Sequence, residues 1–161
     1  MKRKLFFSLM PLTLLVAFVV STSAQSRREA EVFDLVNQQR VKAGLNELSW
    51  DDRVGSIARN YSRRMARDRF FDHYDADGKN VMDRADDAKL TGWVKIGENL
   101  FACAATMSFA QKAIIGWMGS ETHRVNILDR EFTSTGIGIA TAEDGSIYIT
   151  QVFTRDSRAA K

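Results

Sequence analysis

Apolar residues recur at helical spacing in the first half of the chain. One such stretch runs from residue 28 to residue 43, and Gly44 follows it as a residue type that commonly ends a helix. Its apolar positions are Val32, Leu35, Val36 and Val41. The spacing predicts an amphipathic helix packed against a core.

A second helical stripe follows and is more regular. Its apolar positions are Val54, Ile57, Ala58, Tyr61 and Met65. These are the i, i+3, i+4, i+7 positions of a helix that lies on a core, and Ser49 or Asp51 is predicted to cap its start. The opposite face carries arginines that we expect to be solvated: Arg59, Arg63, Arg64 and Arg67.

The second half mixes shorter helical patterns with strands. Helices are predicted over 80–89 and 107–118, a turn or short helix over 121–128, and an extended segment over 93–102. Strand-like runs at 136–140 and 147–153 flank Asp144-Gly145, a strong signal for a β-hairpin. Helices followed mainly by strands indicate an α+β fold, in which helices cover an antiparallel sheet.

The N-terminus has the three parts of a secretory signal. A basic start, Met1-Lys2-Arg3-Lys4, precedes an apolar run and a small-residue segment that ends at Ala24. Residues 1–24 are therefore predicted to be a cleavable signal peptide, and 25–161 a single domain. The apolar run is short for a permanent membrane anchor, so we expect a secreted or periplasmic protein.

Removal of this signal changes the charge balance. The whole chain has 23 Lys+Arg and 20 Asp+Glu, and the three basic residues of the signal account for the entire surplus. A neutral domain argues against a nucleic-acid partner. Cys103 is the only cysteine, so an internal disulfide framework is excluded. We expect Cys103 to be a small buried apolar residue, with a reactive or intermolecular thiol as the alternative.

Few residues offer chemistry. His73 and His123 are the only histidines, and Glu98 lies in an otherwise apolar extended segment, where burial would demand a partner. The alternative for Glu98 is a strand glutamate that points to water. Ser120 lies three residues before His123, a spacing at which both can share a helix face.

Six short motifs, in this order, resemble the CAP superfamily of cysteine-rich secretory proteins, antigen 5 and plant pathogenesis-related 1 proteins, and its disulfide-free bacterial branch in particular. They are Val36-Asn37-Gln38-Gln39-Arg40, Leu48-Ser49-Trp50-Asp51, Phe71-Asp72-His73, Gly97-Glu98-Asn99-Leu100, Trp117 and Ser120 with His123-Arg124-Val125-Asn126-Ile127-Leu128, and Gln151-Val152-Phe153. Together they span nearly the whole predicted domain.

The resemblance implies a three-layer α–β–α sandwich with a small, mainly antiparallel central sheet. It also implies a cleft lined by two histidines and two acids, and in some members the histidines bind a divalent metal. By position, His73 and His123 take the histidine places and Glu98 the first acid. Ser120 stands where other branches have the second acid, and Glu121 is its neighbour. Zinc or another divalent metal on His73 and His123 is thus an expectation.

Three functions follow as hypotheses. The first, which we prefer, is a secreted, non-enzymatic monomer whose cleft binds a lipid or other small ligand. The second is a hydrolase, with Glu98 as general base beside a metal, or with Ser120 and His123 as nucleophile and base. The third is a structural or partner-interaction module with a vestigial cleft.

Overall fold

The computed structural model describes residues 26–157 of the protein, and the signal predicted over residues 1–24 lies outside them. The helices are α1 (Arg27–Lys42), α2 (Asp52–Asp68), α3 (Val81–Asp87), α4 (Phe109–Gly119) and α5 (Glu121–Ile127). The strands are β1 (Ser49–Trp50), β2 (Trp93–Cys103), β3 (Ser134–Thr141) and β4 (Ile147–Asp156).

Side-chain caps define where the two long helices begin. Ser26 and Glu29 form a reciprocal capping box at the start of α1. The carboxylate of Asp51 accepts hydrogen bonds from the backbone N–H groups of Arg53 and Val54 at the start of α2. Of the two predicted caps, Asp51 is therefore the correct one, because Ser49 lies in β1.

The sheet has the strand order β1-β3-β4-β2. The β3–β4 and β4–β2 pairs are antiparallel, and only the two-residue β1 pairs in parallel, with β3. This order places β2 at an edge of the sheet, where loops and short helices can reach one side of the strand. The predicted mainly antiparallel sheet is confirmed.

Helices cover both faces of this sheet. On one face, α2 and α3 pack through Val54, Ile57 and Ala85 against Val152 of β4. On the other face, α1 and α4 contribute the larger core, in which Val36 and Trp117 join Ile137 and Phe153. The result is the α–β–α sandwich that the resemblance implies, so the predicted fold is confirmed.

Two helix predictions need correction. Val41 was assigned to the apolar face of α1 but is 57% exposed, because α1 buries only the face that carries Val32 and Val36. The third long helix begins at Phe109, and Met107 precedes it and is almost fully exposed. No helix in residues 26–157 is both long and apolar enough to cross a membrane.

Two polar residues of α1 fix the loops around it. The side-chain amide nitrogen of Asn37 donates a hydrogen bond to the backbone carbonyl of Leu48, and its side-chain oxygen accepts one from the backbone N–H of Leu48. The buried guanidinium of Arg40 donates to the backbone carbonyls of Asn46, Ile127, Asp129 and Phe132. Such bonds satisfy carbonyls that would otherwise be buried without donors, so both residues determine the fold.

Candidate functional site

The site is organised around Glu98, in the middle of the edge strand β2. Glu98 pairs in register with Val152 of β4. Side chains alternate between the two faces of β2, so Leu100 packs against α2. The side chain of Asn99 points to the opposite face, towards α5, and donates to the carbonyl of His123. Glu98 itself is 7% exposed, so the alternative of a glutamate that points to water is wrong.

Both carboxylate oxygens of Glu98 have partners. The Nδ1–H of His73 donates to Oε1 at 2.8 Å, and Nη2 of Arg84 donates to Oε2 at 2.6 Å. A buried carboxylate needs such partners, since desolvation strongly disfavours an isolated charge. The hydrogen bond that His73 donates to Glu98 is also the main reason why the pKa of His73 is raised above its ordinary value of 6.5.

Arg84 connects α3 to the loop that carries His73. Its Nη1 donates to the backbone carbonyls of His73 and Lys79, and its guanidinium lies 3.4 Å from the ring centroid of Tyr61. Tyr61 in turn donates its hydroxyl to the carbonyl of Asp72 at 2.6 Å. Burial raises the pKa of Tyr61 to about 12, so the phenol remains a neutral donor at physiological pH. These contacts fix the position of the His73 ring.

His123 lies in α5, on the other side of β2. Asn126 ties this helix to the strand, because its amide donates to the carbonyl of Glu98 and to the side-chain oxygen of Asn99. Burial lowers the pKa of His123, and the charge of His73 lowers it further. The two imidazoles are therefore close enough to interact electrostatically, although only His73 contacts Glu98.

Ser120 and Glu121 do not join this arrangement. Ser120 is the N-cap residue of α5, and its side chain makes no capping hydrogen bond to that helix. Its hydroxyl lies 3.0 Å from that of Thr122. Glu121 is exposed to solvent. The chain turns between α4 and α5 at Ser120, and the predicted place of Ser120 and Glu121 in the cleft stays a prediction.

A cavity of about 250 Å³ opens beside the His73–Glu98 pair. Its polar lining is completed by Asn80, and its apolar lining comes from the loop before α3, from α3 itself and from β2. The apolar residues are Tyr74, Val81, Met82 and Ile96. Tyr74 and Met82 are about half exposed, at 56% and 48%, which leaves apolar surface at the mouth of the cavity.

The described side chains do not fit a zinc site with three protein ligands. In residues 26–157, no group of three or more His, Cys, Asp or Glu side chains lies close enough together to hold an ion. Glu98 already binds two donors, and its bond to Nδ1 of His73 is the kind that orients an imidazole. Two imidazoles without a third ligand would make a weak, pH-sensitive site, so the zinc expectation remains unconfirmed.

Sequence reasoning missed several contributors to this region. Arg84, Tyr74 and Met82 were not singled out, and Tyr61 was read only as a core aromatic, which it also is. The apolar neighbours of Glu98 in the sequence were a usable signal, because a carboxylate buried among them needs a cationic partner. The chain offers many arginines, however, and no local pattern distinguishes Arg84 from the others.

Cys103 ends β2 half-buried and packs against the larger core. It forms no disulfide within the described part of the chain. Its position is consistent with the predicted apolar role.

Comparison with known proteins agrees with the fold and with the six motifs. Residues 33–153 match the cysteine-rich secretory protein (CAP) family, and the chain belongs to this family. It is 33% identical to the uncharacterized protein YkwD of Bacillus subtilis over 129 residues, which are 80% of this chain and 48% of that protein.

Two solved structures extend the comparison. An extracellular protein from Bacillus anthracis that contains an SCP domain is 33% identical, with a TM-score of 0.68 over 80% of this chain and 40% of that one. The chain thus spans less than half of these bacterial relatives. NaASP2, crystallised with Zn²⁺, shares the fold at 13% identity and a TM-score of 0.58, over 83% of this chain and 86% of that one.

Proposed function

We propose that this chain is a secreted or periplasmic CAP-domain binding module, and that the cavity beside β2 holds a small amphipathic ligand. We further propose that it acts as a monomer and performs no chemistry on the ligand. The observation that carries this proposal is the cavity itself, which joins the His73–Glu98 pair to an apolar lining. Glu98 accepts from both His73 and Arg84, and such a bond orients the imidazole of His73 towards a ligand.

The lining of the cavity supports an amphipathic ligand. His73 presents its remaining ring nitrogen from a side chain that is 51% exposed, and its bond to Glu98 raises its pKa, which favours the cationic form. An anionic or hydrogen-bond-accepting group suits this end. The apolar side chains of Tyr74, Val81 and Met82 suit a hydrocarbon portion.

The proposal can be tested with an amphipathic anion as a probe, for example a fluorescent dansyl fatty acid. Met82→Asp places a negative charge, like that of the probe, at the apolar side of the cavity. It also removes the apolar surface that Met82 offers to the hydrocarbon part of the probe. We expect this variant to weaken probe binding by about tenfold or more, as loss of one buried methionine contact predicts. His73→Ala is expected to weaken binding as well. Fluorescence titration measures both dissociation constants.

Ile115→Asp is the matched control, since Ile115 is an exposed apolar residue of α4 that does not line the cavity. It should leave probe binding unchanged. Equal affinity of wild type, Met82→Asp and His73→Ala would refute the proposed cleft. Mass spectrometry of small molecules that co-purify from the native host then identifies the natural ligand.

The metal-dependent hydrolase is the second candidate, and it requires His73 and His123 to hold one ion together. Isothermal titration of zinc into the wild type, His73→Ala and His123→Ala distinguishes the two functions. We expect no saturable zinc site at micromolar protein concentration, because the described residues lack a third ligand. Stoichiometric binding that both substitutions abolish would favour the metal centre instead.

A further inference from the structure

A second concave surface, which shares no lining residue with the cavity at His73 and Glu98, lies between the outer face of α2 and the β3–β4 hairpin. Its volume is about 910 Å³. Helix α2 contributes Asn60 and three arginines, Arg69 follows the helix, and Ala140 to Glu143 form the opposite wall. We call this surface the arginine groove. The sequence alone suggested only a solvated arginine face here.

The lining of the groove is rich in arginine. Four arginines and a single acid, Glu143, are among the residues that line it. Arg63 and Arg67 are four residues apart, so they lie on one helical face about 6 Å apart along the axis. Arg69 adopts a left-handed backbone conformation at the end of α2, with φ 54°, and points across the groove to Glu143.

The arginines differ in how firmly they are neutralised. Arg64 is held by Asp75 and Asp77, each at 2.7 Å, and therefore forms a fixed wall. Arg67 pairs with its neighbour Asp68, but its side chain is 71% exposed. Such exposed pairs are weak and easily exchanged.

Arg63 and Arg69 are the least neutralised. Among the described residues, the hydrogen-bond partner of Arg63 is a neutral amide oxygen, Oδ1 of Asn60. Arg69 reaches Glu143 at 3.3 Å, and both side chains are largely exposed. These two guanidinium groups, both on the α2 side of the groove, are the ones most readily exchanged to an external anion.

We propose that the arginine groove binds a ligand that carries several phosphate groups. Guanidinium groups form paired hydrogen bonds to phosphate oxygens, and they lose less hydration than ammonium groups when they do so. Cations distributed along the groove match a chain of anionic groups better than a single ion. Because the predicted domain as a whole is formally neutral, the arginines of this lining are a local feature that directs such a ligand to this surface.

The test is a calorimetric titration of the folded protein with tripolyphosphate in low-salt buffer, and with orthophosphate for comparison. Wild type is expected to bind tripolyphosphate more tightly than orthophosphate, and binding should weaken as salt is added. The double substitution Arg63→Ala/Arg69→Ala is expected to weaken binding by about tenfold or more, as loss of charged hydrogen bonds predicts.

Two further variants make the result specific. Arg27→Ala/Arg130→Ala removes the same charge from exposed positions outside the groove and should leave the dissociation constant nearly unchanged. Glu143→Gln removes the anion that competes for Arg69, so we expect it to tighten binding by up to about fivefold. Circular dichroism confirms that each variant is folded.

Three results would overturn the proposal: no tripolyphosphate binding by the wild type at low salt, equal affinity for tripolyphosphate and orthophosphate, or equal loss in the groove and control double variants. None of these results bears on the cavity at His73, because the two surfaces share no lining residue.

Discussion

Gly136→Ala is expected to lower the free energy of unfolding by about 4 kcal/mol or more, at the extreme of single substitutions. A Cβ at this position of β3 would lie 2.1 Å from the backbone nitrogen of Gly55 and 2.5 Å from its Cα. Both atoms belong to the backbone of α2, which cannot rotate away as a side chain can. The helix would have to move off the sheet and open the core that contains Val54 and Val152.

Urea unfolding followed by circular dichroism measures this effect. Gly119→Ala is the matched control, because a Cβ there meets nothing within 4 Å at the end of α4. Alanine favours helix over glycine, so this control should change stability by no more than about 1 kcal/mol, in the stabilising direction. An unfolding midpoint for Gly136→Ala equal to that of the wild type would show that α2 does not lie this close to β3.

Arg84→Met is expected to cost about 3–5 kcal/mol, the usual result when one partner of a buried ion pair is removed. Methionine retains an apolar stem against Tyr61 but leaves Oε2 of Glu98 without its donor. The side chains of this pair are only 11% and 3% exposed. Arg53→Met is the control, since Arg53 pairs with Asp51 from a side chain that is 63% exposed, and its loss should cost at most about 1 kcal/mol.

The same variant has a pH signature. The charge of Arg84 lowers the pKa of His73, so its removal should raise this pKa further above 6.5. The pKa of His73 is higher in the folded state than in the unfolded state. The bond of His73 to Glu98 therefore stabilises the fold fully below about pH 6.5, and this stabilisation is lost as pH rises through the folded-state pKa. The deficit of Arg84→Met should therefore be smaller at pH 5.5 than at pH 8.

NMR can measure this change in the pKa of His73, because the chain has only two histidines. In the wild type, one imidazole should titrate above 6.5 (His73) and the other below it (His123). Arg84→Met should move the first titration upward. A downward or absent shift, or a loss of stability equal to that of Arg53→Met, would contradict the proposed role of Arg84 in holding Glu98.

Local patterns were sufficient for most of the fold. The stripe from Val54 to Met65 predicted α2, because residues three or four positions apart lie on the same face of a helix, and that face packs on the core. The Asp144-Gly145 turn predicted the β3–β4 hairpin, since its backbone twist matches that of paired strands. The parallel pairing of β1 with β3 was not predictable in this way, because it joins residues far apart in the chain.

The candidate site shows the same division. The sequence singled out His73, Glu98 and His123 as scarce or unusually placed polar residues, and their role in ligand binding is still a prediction. It could not select Arg84 as the cation for Glu98, because that choice depends on how α3 packs beside β2. It also could not show that Ser120 lies at a turn rather than on the helix of His123.

The sequence by itself determined which residues prefer helix or strand, and, through its ordered motifs, the family. These properties depend on side-chain spacing and on near neighbours. Only the tertiary structure decided that both oxygens of Glu98 have hydrogen-bond partners, and that Arg63, Arg64 and Arg67 of α2 line one groove. Those properties depend on which distant segments come into contact, and a buried charge or a concave surface exists only once they have packed.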